Sequence, residues 1–290
     1  MPGDGGALTR QAHAIAELGD PLEKTVRAHQ LVTEQQEIIT ELLRIRREGV
    51  EALIDSGMSQ SEIGRHLDIS RQAVAKLIKN SPPPERAFFG TGMLTIAVGE
   101  KMEAEKDHGK PGPAVATEDL AAYHILSELA RDLKLTTAYE TVKPPGMIDL
   151  NRDNLVVICG PRLSPMVAQI LAGDQNISFT RDKDGWFLED RPTHTVHRSP
   201  MDRGENSDYA YLGRLPRPDG RGTFVYIAGI HAVGATGVTH WLTNNLSEVY
   251  SEIGRRRFST IIKCTFNPSP LQIVDSERVS PLYRRGNSPQ

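Results

Sequence analysis

The chain has 290 residues, 38% of them apolar and 24% charged, with a formal charge of −3. These values fit a globular protein with room for two ordinary domains or one large one. They exclude a globally basic nucleic-acid binder, so any basic surface has to be local. No apolar run approaches the ~20 residues that span a bilayer. The opening MPGDGGALTR lacks the apolar core of a signal peptide. Cys159 and Cys264 are far apart and lack metal-type spacing, so they are expected to be inert, strand-borne thiols in a reducing compartment. The expected location is the cytoplasm.

In chain order, residues 1–10 are expected to be disordered, being short, Gly-rich and terminal. Residues 11–80 read as helical. Between Leu22 and Ser56 only Gly49 interrupts the pattern, and the helix is expected to break near it. Leu31, Ile38 and Ile45 recur every seven residues, and Ile39, Leu42 and Leu53 widen the stripe. Such a helix is about 50 Å long. It either lies along its own domain or dimerises, and a stripe of this length calls for a partner surface.

Next comes GMSQSEIGRHLDISRQAVAKLIK, Gly57 to Lys79. Gly57 ends one helix, and Ser59 with Glu62 three residues on forms a capping box. Ile63 and Leu67 share a face. Gly64 is small enough to admit a crossing helix. Asp68-Ile69 turns the chain, and Ser70 caps a second helix whose Val74, Leu77 and Ile78 face inward. Arg71, Gln72, Ala75, Lys76 and Lys79 are left outward. A short turn between two capped helices, the second with a basic, amide-bearing face, suits major-groove reading. Gln72 can pair with adenine and Arg71 with guanine, while Ala75 admits a thymine methyl. Ser59, Arg65, Lys76 and Lys79 are better placed for the backbone phosphates, and Gln60 and Ser70 are also expected at the DNA. Between Arg44 and Lys79 seven Arg/Lys face five acids, a local excess of two positive charges. The alternative is a helical hairpin with another task.

Gly57, Ser59, Glu62, Ile63, Leu67, Ser70, Arg71, Val74 and Leu77 resemble the helix-turn-helix of sigma-factor region 4 and of resolvase/invertase DNA-binding domains, over about 25 residues. Gly64 stands where those families commonly carry Ala, and Asp68 where Gly is usual. Asp tolerates the left-handed conformation, so the turn survives. No segment resembling a core-polymerase-binding region precedes the motif, and no resolvase-like catalytic domain does. The preceding ITELLRIRREGVEALIDSG is similar to bacterial regulators that fuse a long helix and such a motif to a sensing domain. PPPERAFFG, LNRDNLVVICGPR and RLPRPDG also resemble stretches of bacterial proteins, and that likeness brings no activity with it.

Pro82-Pro83-Pro84 cannot continue a helix, and residues 81–87 are expected as a semi-rigid linker. Residues 88–283 then read as an α/β domain with a largely parallel sheet, and 284–290 as a tail. Strands are expected at Met93–Val98, Thr136–Val142, Leu155–Cys159, Ile177–Arg181, Trp186–Glu189, Tyr209–Leu215, Thr223–Ile230 and Thr260–Phe266. Asp184-Gly185 is a hairpin signal. Helices are expected at Thr117–Leu133, capped by Thr117 with Leu120, His124, Leu126 and Leu129 inward, at Ser164–Leu171, and at Thr236–Ile253.

Two strand-to-helix loops are candidate ligand sites. In the first, Gly160 allows a sharp turn, Pro161 follows, Arg162 supplies charge, and Ser164 caps the helix behind Pro165. In the second, Gly229, His231, Gly234 and Thr236 open another helix. Parallel strands would bring both loops to one sheet edge, where open α/β sheets bind ligands. Neither loop matches a phosphate-loop or dinucleotide signature, and glycines serving turns alone remain an alternative. No cofactor or metal is expected, His194 and His197 lacking a third ligand. The run Arg214–Gly222 reads as a hairpin tip. Asp208 and Glu140 can act as acid or base only if the fold unites them. The expectation is a homodimeric DNA-binding regulator sensing a small anionic, nucleotide-like or phosphorylated effector. The rival is a nucleotide-processing enzyme with an accessory DNA-binding domain.

Overall fold

The computed structural model describes residues 5–103 and 112–284. The chain divides into two compact units, Met1–Pro84 and Glu85–Gln290.

The first unit holds α1 (Gly5–Ala16), α2 (Pro21–Asp55), α3 (Gln60–Leu67) and α4 (Arg71–Asn80). Residues 5–10, expected to be disordered, form the first half of α1, because Ala7, Leu8 and Arg10 are strong helix formers that outweigh two glycines. Residues 1–4 lie outside the described residues. Asp20 starts α2, its carboxylate accepting from the Leu22 and Glu23 amides at 3.2 and 3.1 Å. α2 runs 35 residues without the expected break at Gly49. Arg44–Glu48 and Arg47–Glu51 ion pairs at 2.8 and 2.7 Å bracket that glycine and offset its weak helix propensity. Val50, Ile63, Val74 and Leu77 form the small core, with Ile54, Met58 and Ile78 packed on it.

The second unit opens with α5 (Arg86–Phe89), whose four residues are all buried. The linker expected over 81–87 is not a segment apart: residues up to Pro84 belong to the first unit, where the buried Ser81 accepts from Arg47 Nη1 through its carbonyl at 3.0 Å, and Arg86 and Ala87 already belong to a packed element of the second. There follow β1 (Met93–Gly99), β2 (Lys101–Met102), β3 (Pro113–Ala114), α6 (Thr117–Asp132), β4 (Thr136–Val142), β5 (Leu155–Ile158) and α7 (Pro165–Ala172). Then come β6 (Ile177–Asp182), β7 (Gly185–Asp190), β8 (Thr195–Arg198), β9 (Ser207–Pro216), β10 (Thr223–Gly229), α8 (Ala232–Ile253), β11 (Phe258–Pro268), β12 (Leu271–Arg278) and β13 (Tyr283–Arg284).

The class is mixed α/β. The central sheet has the order β12-β11-β9-β10-β5-β1-β4, with β13 beside β11. The run β4-β1-β5-β10 is parallel, as expected, and β9 to β13 extend it antiparallel. Alternation along β5 divides the core. Val156 and Ile158 meet Leu126 of α6 and Leu242 of α8 in one cluster. Leu155 and Val157 meet Val167 of α7 and Leu188 of the small sheet β6-β7-β8 in the other. Both faces are covered, which explains the unbroken apolar run LVVI. α6 departs from its expected details. Its cap position is Ala116 rather than Thr117, and His124 is exposed. No described helix is long and apolar enough to cross a membrane.

The chain leaves the C-terminal end of β1 through α6 toward β4, and the end of β5 toward β9 and β10 on the other side. The connections diverge between β1 and β5, which makes a topological switch point there.

Candidate functional site

Two surfaces collect the chemistry, one in each unit. In the first, the Ser59 hydroxyl accepts from the Glu62 amide at 3.3 Å and donates to its carboxylate at 2.6 Å. These bonds hold the Glu62 carboxyl below its ordinary value. Asp68 ends α3 in the left-handed region at φ 55°. The turn then folds back on α3, and the Ile69 amide donates to the Gly64 carbonyl at 2.9 Å. A Cβ on Gly64 would lie 2.6 Å from the Ile69 carbonyl oxygen, so it is the turn, not a crossing helix, that requires glycine here. The Ser70 hydroxyl caps α4 by accepting from the Ala73 amide at 3.1 Å.

On α4, Val74 and Leu77 are buried while Arg71, Gln72, Ala75, Lys76 and Lys79 are exposed together. Arg65 is exposed at the end of α3, and Gln60 is half-buried at its start. The Ser59 hydroxyl and amide both donate to the Glu62 carboxylate, whereas the Ser70 hydroxyl only accepts in its cap bond and keeps its O–H to donate to a phosphate. Leu67, assigned to the Ile63 face, is 43% exposed.

In the second unit a cleft lies at the switch point. Cys159–Leu163 form one wall and Gly229–Ala232 the other, so the two loops do meet at one sheet edge. Lys101 and Asp119 stand between them, and Phe179 and Trp186 close the side in an edge-to-face pair with centroids 5.7 Å apart. The open space at its floor is about 30 Å³. Beyond Trp186 the cleft continues into a groove of about 380 Å³ that shares Pro161, Phe179 and Trp186 and adds Arg181 and Arg191. A mononucleotide-sized ligand needs roughly 300 Å³ or more, so it has to use the groove as well.

The cleft mixes signs. The α8 N-terminus, Lys101 and Arg162 favour anions. Asp119 is only 6% exposed, and burial raises its carboxyl from 3.8 to about 6, with Lys101 and Arg162 opposing the rise. The His231 ring Nε2 lies 2.9 Å from Asp202 Oδ1. The His231 amide donates to Asp208 Oδ2 at 2.9 Å, so a β9 carboxylate caps α8. Asp208 is fully buried, and its carboxyl is pushed up to about 6 by burial. Burial pushes both thiols, Cys159 and Cys264, up to about 12, which leaves them inert.

Of the loop residues singled out in the sequence, Gly160, Pro161, Arg162, Gly229 and His231 line the cleft. Three do not. Ser164 is buried, caps α7 and donates to the Gly146 carbonyl at 2.7 Å. Gly234 packs against Asp208, whose Oδ2 would lie 2.6 Å from an added Cβ. Thr236 is buried a turn inside α8 and donates to the Glu118 carbonyl at 2.8 Å, because α8 begins at Ala232 rather than at Thr236. Gly160 has no positive φ, and an added Cβ would meet only the Arg162 Cγ at 3.8 Å, so the turn does not require glycine there. Asp208 and Glu140 are not brought together. Four strand spacings, about 19 Å, separate their strands, and Glu140 pairs with Arg152 at 2.6 Å. Sequence reasoning missed Lys101, Asp119, Phe179 and Trp186. Asp119 gave no distinct signal, since an acid in a first helical turn is ordinary. No cluster of metal-ligating side chains occurs among the described residues.

Comparison with protein-family models, with curated proteins and with solved structures finds no match.

Proposed function

We propose that the chain is a DNA-binding transcription regulator acting in the cytoplasm at the nucleoid. On this reading α3, the turn and α4 form a helix-turn-helix in an all-helical first domain. The observation that carries it is the α4 face, where Arg71, Gln72, Ala75, Lys76 and Lys79 are exposed together while Val74 and Leu77 anchor the helix. Gln72 and Arg71 read base edges, and Lys76 and Lys79 meet phosphates. On α2 Ile38, Leu42 and Ile45 are each about half exposed. A second copy covers them, and the dimer presents two reading helices to successive major grooves. The switch-point cleft and its groove take a small anionic effector, with Arg162 and the α8 N-terminus on the anion and Trp186 against its body. Effector binding shifts the dimer only if the two states bind it with different affinity.

The test is selection of genomic fragments by the purified full chain, with the double variant Arg71→Ala/Gln72→Ala as control. A roughly palindromic motif that the double variant loses supports a dimeric regulator. Selection of the same motif by both proteins refutes this assignment of the reading face.

A second reading is favoured by Asp119 sharing one cleft with His231, whose ring pairs with Asp202, which suits an acid-base enzyme on nucleotide-like substrates. Turnover separates the two. A regulator returns its ligand intact after long incubation, and an enzyme does not.

A further inference from the structure

At the opposite edge of the central sheet, where β5 and β10 begin, lies a cavity of about 450 Å³. Its wall includes Phe89, Asn154 and Thr223, and its charged residues are Arg214, Arg221, Arg255 and Asp153. It shares no lining residue with the switch-point cleft.

Arg214 is the unusual group. It sits in β9, paired across to Val225 and Phe258, and is 93% buried. Its Nη2 donates to the Phe88 carbonyl, and its guanidinium carbon lies 4.7 Å over the Phe88 ring. Its Nε has no hydrogen-bond partner. No carboxylate among the described residues pairs with it, and the strongest charge acting on it is that of Arg255, which has the same sign, with Tyr250 opposing more weakly. Asp153, the one acid on the wall, is exposed and bound to Arg217 at 2.6 Å.

Burying a guanidinium beside another cation, with no counter-ion, is strongly unfavourable. A carbonyl and a ring face offset part of that. A packed Leu or Met would cost nothing of the kind, so a cation here calls for an anionic partner. Two further guanidiniums at the mouth of a ligand-sized cavity point the same way.

We propose that this cavity is a second anion site, taking a phosphoryl group between Arg214 and Arg255 with Arg221 at the mouth. The site does not depend on the DNA-binding reading. A phosphate dianion matches paired guanidiniums better than a monovalent ion does. Free phosphate and a phosphate ester offer the same group.

The experiment is thermal unfolding of the full chain with increasing inorganic phosphate, or with glycerol 3-phosphate, ionic strength being held constant with potassium chloride. The expected result is a saturable rise in Tm with both ligands that persists in Arg162→Ala, where the switch-point cleft has lost its guanidinium, and is lost when Arg214→Met or Arg255→Gln is added to that variant. Arg255 is exposed, so Arg255→Gln decides the matter even if Arg214→Met fails to fold. A lower saturating concentration for the ester identifies an ester as the natural ligand, and equal or reversed order identifies free phosphate. The proposal is overturned if Arg162→Ala shows no rise with phosphate, which would place the anion in the switch-point cleft, or if the rise in Arg162→Ala survives the addition of Arg255→Gln.

Discussion

The two units build their chemical surfaces in opposite ways. The α4 face comes from residues within two short helices, held by a core of four buried side chains. The cleft draws on β2, α6, β5, the β6–β7 hairpin, β10 and the start of α8, residues spread from Lys101 to Ala235. The first surface is exposed and carries Arg71, Lys76 and Lys79 on one face. The second is a cleft with one buried carboxylate, Asp119, whose proton affinity the fold has raised. A local motif can be added to a chain almost intact, whereas a cleft of this kind exists only once the whole sheet has formed.

The largest expected effect tests whether the units stand alone energetically. Ile63→Ala removes a fully buried side chain from the small core and should cost about 2–5 kcal/mol. Hydrogen exchange should then show α3 and α4 opening while protection in β5 and β10 is unchanged. Joint loss of protection would erase the division.

Asp119 gives the next effect. Its carboxyl titrates near 6 when folded against 3.8 unfolded, so the folded state binds the proton more tightly. Its contribution to stability is complete below the unfolded value and is lost as pH rises through the folded one, roughly 3 kcal/mol in all. Asp119→Asn should flatten that part of the stability profile of the second unit. A slope between pH values of about 4 and 7 that is unchanged in the variant would mean that another group, such as Asp208, carries it.

Smaller effects belong to the α4 face. Gln72→Ala should relax preference at one base position by about 1–3 kcal/mol, measured by competition between duplexes that differ at single positions. An unchanged preferred sequence would show that the register of α4 on the bases is different. Ser59→Ala should destabilise the first unit by about 1 kcal/mol through loss of the cap. A midpoint unaltered in urea would mean that water replaces the hydroxyl.

Much of this was legible in the sequence, for physical reasons that differ by element. The α3–α4 pair was readable because capping, the left-handed Asp68 and the inward spacing of Val74 and Leu77 are all local. LVVI gave away β5 because a strand covered on both faces has no polar positions. β12, LQIVDSER, escaped because an exposed edge strand has little apolar alternation to betray it. Thr236 misled because Gly234 and Gly237 looked like loop residues. They are helical glycines that let α8 pack closely on Asp208 and Cys264. Asp119 and Trp186 were invisible as site residues because only the sheet order brings them to Gly160 and His231. Arg214 was read as the start of a hairpin tip, and its burial depends on α5 folding over it.

The most direct test of the central claim is affinity for duplex DNA as a function of salt, comparing the full chain with Lys76→Ala and Lys79→Ala. The account predicts a linear fall of log affinity with log salt, with a slope shallower by about one for each phosphate contact removed. Binding to duplex DNA with the same slope in wild type and both variants, or no binding even at low salt, would contradict it.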